Sequence, residues 1–159
     1  MNKVMFLTLA ALALFIGACS ASGEEDDSTR DANGAIVEAG DVGVFVMEVG
    51  DCFKELPDGL VESMEAVPCA QDHRVEVFHK FDVSLPAFDD PAIDEQAGTG
   101  CFDAFEPYVG KSYDVSFYEF SALTPTADSW ELDDREVVCL LYPYESAEGT
   151  TGTANGSGL

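Results

Sequence analysis

Basic residues are scarce in this sequence: seven Lys and Arg stand against 31 Asp and Glu, which gives a formal net charge of −24 at pH 7. A surface of that sign repels nucleic-acid phosphates and anionic lipid headgroups, so we expect no nucleic acid among its partners. The negative charge would attract a cationic partner or divalent cations, but without specificity for any one of them. The simpler interpretation is that the charge keeps the protein surface solvated.

Catalytic motifs are absent as well. The chain contains no Gly-x-Ser-x-Gly, no Walker-type loop, no His-Glu-x-x-His and no calcium-loop spacing of carboxylates. Its two histidines, His73 and His79, lie six residues apart, about 20 Å along one strand at roughly 3.3 Å per residue, too far for one metal ion. We therefore expect no enzyme, no cofactor and no metal site. His73 follows Cys69 closely, and we expect it to hydrogen-bond the neighbouring loop as a structural residue.

A long apolar run is also missing. The run over residues 4–16 has thirteen residues, whereas a bilayer span needs roughly twenty. Because it follows Lys3 and precedes small residues, it predicts a signal peptide over residues 1–18. Ile16-Gly17-Ala18-Cys19 resembles a bacterial lipobox, which implies a diacylglycerol thioether on Cys19 and a stable membrane anchor. The alternative is an ordinary secretory signal with an unrelated cysteine.

Composition divides the rest of the chain. Residues 19–41 are rich in Gly, Ser, Ala, Asp and Glu, so we expect a disordered acidic spacer behind the lipidated Cys19. Residues 146–159 are mostly Gly, Thr, Ser and Asn, which predicts a disordered tail that can be removed without loss of stability. The folded domain is therefore expected over residues 42–145.

Four cysteines remain if Cys19 carries lipid, and an even number in an exported chain indicates disulfides. Three pairings are possible. We favour Cys52–Cys69 and Cys101–Cys139 because each pair is nearer in sequence, and each bridge would contribute about 3–4 kcal/mol by restricting the unfolded chain. A zinc site built from four thiolates is the alternative, but it is disfavoured by oxidation after export and by the lack of Cys-x-x-Cys.

Periodicity within the domain predicts an α+β fold. Alternating patterns predict strands over residues 43–53, 73–83, 114–123 and 136–142, and the last is apolar on both faces, as in a central strand. The second strand is expected to bury one face carrying Val75, Val77, Phe81 and Val83. Asp90 is expected to cap a helix with an apolar stripe of Ile93, Ala97, Cys101 and Phe105. We expect a small, mostly antiparallel sheet with one packed helix and two disulfides.

An ordered set of short motifs runs through the same region. In chain order they are Gly50-Asp51-Cys52-Phe53, Val67-Pro68-Cys69, His73, Glu76-Val77, Cys101-x-x-x-Phe105-x-x-Tyr108-Val109-Gly110, Trp130, Asp134-Arg135 and Cys139. This set resembles the septum formation domain of actinobacterial envelope proteins. The resemblance implies an extracytoplasmic location and a role in cell division or envelope maintenance. It implies no reaction.

Two residues near the end of the domain are candidates for partner binding. Arg135 lies among acidic neighbours and is either salt-bridged within a turn or available to a partner's carboxylate; Trp130 is either a core residue or an exposed recognition aromatic. We expect a non-enzymatic, lipid-anchored protein at the extracytoplasmic face of the membrane, whose domain binds an envelope protein or a wall polymer. The alternatives are a small-solute or cation-binding lipoprotein and, third, an enzyme acting on wall material.

The lipid assignment makes a direct prediction. Replacing Cys19 with Ala removes the only thiol that the lipobox positions for acylation, so the protein should leave the membrane fraction. Fractionation of cells producing either form measures this. Tight membrane retention of the Cys19→Ala protein would contradict the assignment.

Overall fold

A computed structural model describes residues 25–144 and 149–159. The predicted signal peptide, Cys19 and the first part of the predicted spacer lie outside the described residues. Within the described ranges, no helix is both long and apolar enough to cross a membrane.

A six-stranded antiparallel sheet forms the centre of the fold, in the order β3-β5-β4-β6-β8-β7. Its strands are β3 (Gly40–Gly43), β4 (Cys52–Phe53), β5 (Ser63–Val67), β6 (Val75–Asp82), β7 (Tyr118–Leu123) and β8 (Glu136–Pro143). A separate hairpin precedes them, made of β1 (Thr29–Arg30) and β2 (Ile36–Glu38). One long helix, α1 (Asp90–Val109), packs on the sheet, and a short helix, α2 (Ala127–Glu131), precedes β8. The predicted α+β class is confirmed.

β8 shows why the sheet has a core on each face. Val137, Cys139 and Leu141 pack into the cluster that contains α1, whereas Val138 and Leu140 pack into a second cluster. Side chains alternate along a strand, so a strand with both sets buried must lie inside the structure. The central position predicted for this strand is confirmed, since β6 and β7 flank it.

Helix α1 buries the predicted stripe of Ile93, Ala97, Cys101 and Phe105. Its N-cap is Asp89, not Asp90: the Asp89 carboxylate accepts a hydrogen bond from the N–H of Ala92 at 3.2 Å. Capping by Asp89 satisfies the N–H of Ala92, which has no acceptor within the helix. It also places Pro91 in the first turn, where the missing N–H of proline costs no helical hydrogen bond. At Gly100 a side chain would collide with the ring of Phe81, so this glycine allows helix and sheet to approach closely.

The single buried face predicted for β6 is wrong. The register with β8 shifts between Val77 and His79, which is a β-bulge. Because the extra residue reverses the alternation, Val75 and Val77 pack into the second cluster, while Phe78 and Val83 pack into the cluster under α1.

The continuous strand predicted over residues 43–53 is also wrong. A short 3-10 turn, Val44–Val46, follows β3, and a tight turn precedes β4. In that turn the Asp51 carboxylate accepts the N–H of Glu48 at 2.8 Å, and Gly50 adopts a φ of 96°. The first part of the strand predicted over 114–123 is likewise a 3-10 turn, Tyr113–Val115.

The predicted disordered spacer is wrong for its described part, residues 25–41. Arg30 binds the buried carboxylate of Asp51 through two hydrogen bonds, at 2.6 and 2.8 Å. Its Nε also donates to Asp26 at 2.6 Å. A buried carboxylate is costly unless it is paired, so Arg30 ties the β1–β2 hairpin to the domain. β3 then adds to the sheet edge beside β5.

Removing this pair should therefore destabilise the domain. Arg30→Met keeps the apolar stem but leaves Asp51 without its cation, which should lower the free energy of unfolding by about 3 kcal/mol. Lys54→Met is the matched control, because Lys54 and Glu65 form a half-exposed pair at 3.5 Å. It should cost less than about 1 kcal/mol. Urea denaturation with the disulfides intact compares the two variants, and equal effects would mean that the hairpin does not dock.

Candidate functional site

Two disulfides hold the domain, and both predicted pairings are confirmed. Cys52–Cys69 joins β4 to the loop that follows β5, and Cys101–Cys139 joins α1 to β8. The second bridge is buried in the cluster under the helix. It therefore fixes the helix against the central strands, independently of the packing around it.

The buried carboxylate of Glu76 has the densest polar contacts described near these bridges. It accepts hydrogen bonds from the phenol of Tyr108 at 2.6 Å, from the hydroxyl of Thr153, and from the N–H of Ala154 at 2.7 Å. We call these four residues the Glu76 anchor. Burial and the bond to Glu76 raise the pKa of Tyr108 above its usual range, so the phenol remains a donor.

The anchor shows that the prediction of a disordered tail is wrong for residues 149–159. Ala154 is buried in the cluster under α1. The N–H of Gly152 donates to the carbonyl of Cys69 at 2.6 Å, and the N–H of Gly156 donates to that of Tyr108 at 2.8 Å. A segment of small residues docks here because its backbone supplies donors to groups that burial would otherwise leave unpaired.

His73 lies beside the anchor and is buried. Its Nδ1 is 2.9 Å from the carbonyl of Gln71, and its backbone pairs with Thr150 in both directions, at 3.0 and 2.7 Å. These contacts link the Cys69 loop to the tail. They support the structural role expected of His73, which stays a prediction. His79 is on the other side of the bulge, with its ring stacked on Phe81.

Cys52, His73 and Glu76 form the group closest to a metal site within the described ranges, with one ligand atom from each within 4.8 Å of the others. The group does not fit a metal ion. The sulfur of Cys52 is bonded to that of Cys69, so it offers no thiolate, and both oxygens of Glu76 already accept hydrogen bonds.

The structure brings the two predicted partner-binding residues together. The guanidinium of Arg135 lies 3.5 Å from the centre of the Trp130 ring, and it donates to the carbonyls of Trp130 and Asp134 at 3.0 and 2.6 Å. Trp130 is partly buried and meets the ring of Phe88 edge-on at 5.9 Å. Their direct contact with a partner stays a prediction. In the structure they contact two residues that line a groove: Trp130 packs against Phe88, and Arg135 donates to the carbonyl of Asp134.

This groove has a volume of about 720 Å³. It lies between the turn after β3, the loop before β5 and the connection from β7 to α2. Its lining residues are 44–45, 59–62 and 122–127, with Phe88, Asp90, Ser129, Asp134, Glu136 and Val138. Leu60 is 90% exposed and Phe45 45% exposed. Volumes of this order are typical of binding clefts.

Charge in the groove has one sign. Glu62, Asp90, Asp134 and Glu136 line it, and none of the described lining residues is Lys or Arg. Sequence reasoning missed this site, because its walls come from loops that are far apart in the chain. The sequence did hold one signal, the apolar pair Leu60-Val61 directly after the turn motif Pro57-Asp58-Gly59.

A family model described as septum formation matches residues 49–157. No curated protein and no solved structure matches the chain. The matched part contains both disulfides, the Glu76 anchor and most of the docked tail. The β1–β2 hairpin and β3 lie before it.

The anchor predicts that the tail stabilises the domain. Thr153→Val removes one donor to a buried carboxylate and should lower the free energy of unfolding by about 1.5–3 kcal/mol. A chain ending at residue 148 loses two donors and the buried Ala154, so its melting temperature should fall by several degrees or more. Ser157→Ala, at an exposed position, is the control and should cost less than about 0.5 kcal/mol. Thermal denaturation measures all three; an unchanged melting temperature after truncation would contradict tail docking.

Proposed function

The chain belongs to the septum formation family, and from this premise we propose that it is a lipid-anchored protein at the extracytoplasmic face of the cell membrane. Its domain binds another envelope protein or a wall polymer, in septum formation or envelope maintenance. The family match supports a role at the septum or envelope in general terms. The anchor and the location rest on the lipobox resemblance of Ile16-Gly17-Ala18-Cys19.

Two disulfides support the extracytoplasmic location, because such bonds persist in oxidising compartments and are rare where thiols are kept reduced. They also make the domain a rigid platform. Cys101–Cys139 holds α1 on the sheet, and Cys52–Cys69 holds the loop that receives the tail.

The groove is the observation that carries the binding role. It combines exposed apolar side chains with a rim of carboxylates, and apolar surface rimmed by polar groups marks protein-binding sites and ligand grooves. We also propose that the domain is not an enzyme. Neither histidine lines the groove, and its polar groups include no nucleophile paired with a histidine base.

Binding of a small cationic solute is the second candidate function. The groove volume of about 720 Å³ lies in the range of small-ligand clefts, and its four carboxylates would attract a cation. Calorimetric titration of the full chain with calcium, zinc and small amines separates this function from partner binding.

Photocrosslinking in cells tests the proposed function. A photoreactive amino acid at Leu60 lies on the rim of the groove, and one at Val115 is the matched control, since Val115 is 65% exposed on the turn after α1. We expect defined crosslinked products from Leu60 that are absent from Val115, and a division or wall-synthesis protein among them. Identical products from both positions, together with heat released on titration with a small cation, would favour the solute-binding alternative.

A further inference from the structure

Two apolar side chains of the groove face solvent without a described partner to cover them. Leu60, in the loop before β5, is 90% exposed, and Phe45, in the turn after β3, is 45% exposed. Both segments adjoin strands that are paired in the sheet. Exposed apolar side chains clustered in a concave site are typical of positions that a partner covers.

Two of the four carboxylates of the groove already have partners within the domain. Glu136 binds Lys80 at 3.0 Å, and Asp134 accepts the N–H of Glu136 at 3.0 Å. Glu62 and Asp90, in contrast, form no ion pair with any described residue, and both are exposed. A partner that places cations here gains attraction without breaking an internal pair.

The start of the described chain lies next to the groove. The carbonyl of Glu25 accepts the N–H of Gly43 at 2.7 Å, and Gly43 immediately precedes Val44 of the lining. Glu25 follows Cys19 by six residues, which reach at most about 20 Å when fully extended. If Cys19 is lipidated, this side of the domain is therefore held close to the membrane surface.

From these three observations we infer that the groove binds a basic, membrane-proximal segment of another membrane protein. A leucine-like or phenylalanine-like side chain of that segment packs on Phe45 and Leu60, and lysine or arginine residues lie opposite Glu62 and Asp90. This inference rests on the proposed function and specifies its partner. A lipid surface is a poorer occupant, because the acidic rim repels anionic headgroups.

A binding experiment with a defined probe tests the inference. The full chain, extracted from membranes into a non-ionic detergent, is titrated into a fluorescent peptide that alternates lysine with leucine and phenylalanine. One control peptide has glutamate in place of lysine, and the other has serine in place of the apolar residues. We expect only the basic apolar peptide to bind, with an affinity that falls as salt is added.

Matched variants locate the binding. Leu60→Ser should weaken it about tenfold, whereas Leu132→Ser, at an 85% exposed position outside the groove, should not change it. Glu62→Gln should weaken binding and reduce its salt dependence, while Asp103→Asn, on an exposed face of α1, should do neither. These are surface positions, so the fold should be retained in all four.

Several outcomes would overturn the inference. Equal binding by the Leu60 and Leu132 variants would show adsorption to an acidic surface, and equal binding of the acidic peptide would remove the charge requirement. Binding of the Cys19→Ala chain to phosphatidylcholine vesicles, lost in Leu60→Ser, would assign the groove to lipid. If no peptide binds but the Leu60 crosslinks persist in cells, the inference fails and the proposed function remains.

Discussion

The buried carboxylate of Glu76 connects three parts of this domain that are distant in sequence. Glu76 lies on β6. Its carboxylate accepts one hydrogen bond from the phenol of Tyr108 on α1, and two more from a hydroxyl and an N–H of the tail. A carboxyl group buried inside a protein is costly unless donors satisfy it, so each of these contacts favours the others. Helix, sheet and tail are thereby held in one arrangement.

A second buried carboxylate, that of Asp51, fixes the N-terminal part of the described chain to the sheet. Asp51 accepts two hydrogen bonds from Arg30, which brings the β1–β2 hairpin against the turn before β4. Arg30 lies before the matched family region, whereas Asp51 lies inside it. Both ends of the described chain are therefore fixed by pairing a buried acid. The groove, in contrast, keeps Glu62, Asp90 and apolar side chains exposed, which is why we propose it as the binding site.

Much of the fold could be predicted from local pattern. The stripe of α1 is visible because four-residue spacing on a helix defines one face, and β8 is visible because a short run apolar on both faces needs cover on each. The bulge at Phe78 could not be predicted in the same way. One extra residue reverses the inward and outward positions of β6 without leaving a compositional sign.

At both ends of the described chain, composition alone predicts disorder, and that prediction is wrong. Residues 25–41 and 149–159 are rich in small and polar residues, which as isolated peptides cannot bury enough apolar surface to order themselves. Within the domain they are ordered by hydrogen bonds to Asp51, Glu76 and the backbone of the Cys69 loop. Composition therefore predicts only whether a segment would be ordered as an isolated peptide, not whether it is ordered by contacts with the rest of the domain.

The sequence by itself determined the α+β class, the main helix, the central strand and the family resemblance, and it favoured the two disulfide pairings that the structure contains. These depend on periodicity, on cysteines that are neighbours along the chain, and on short motifs in order. The tertiary structure alone decided where the ends dock and where the groove opens. Arg30 and Asp51 are 21 residues apart and Glu76 and Ala154 are 78 apart, so their pairing follows from the folded geometry and from the cost of leaving a buried acid unpaired.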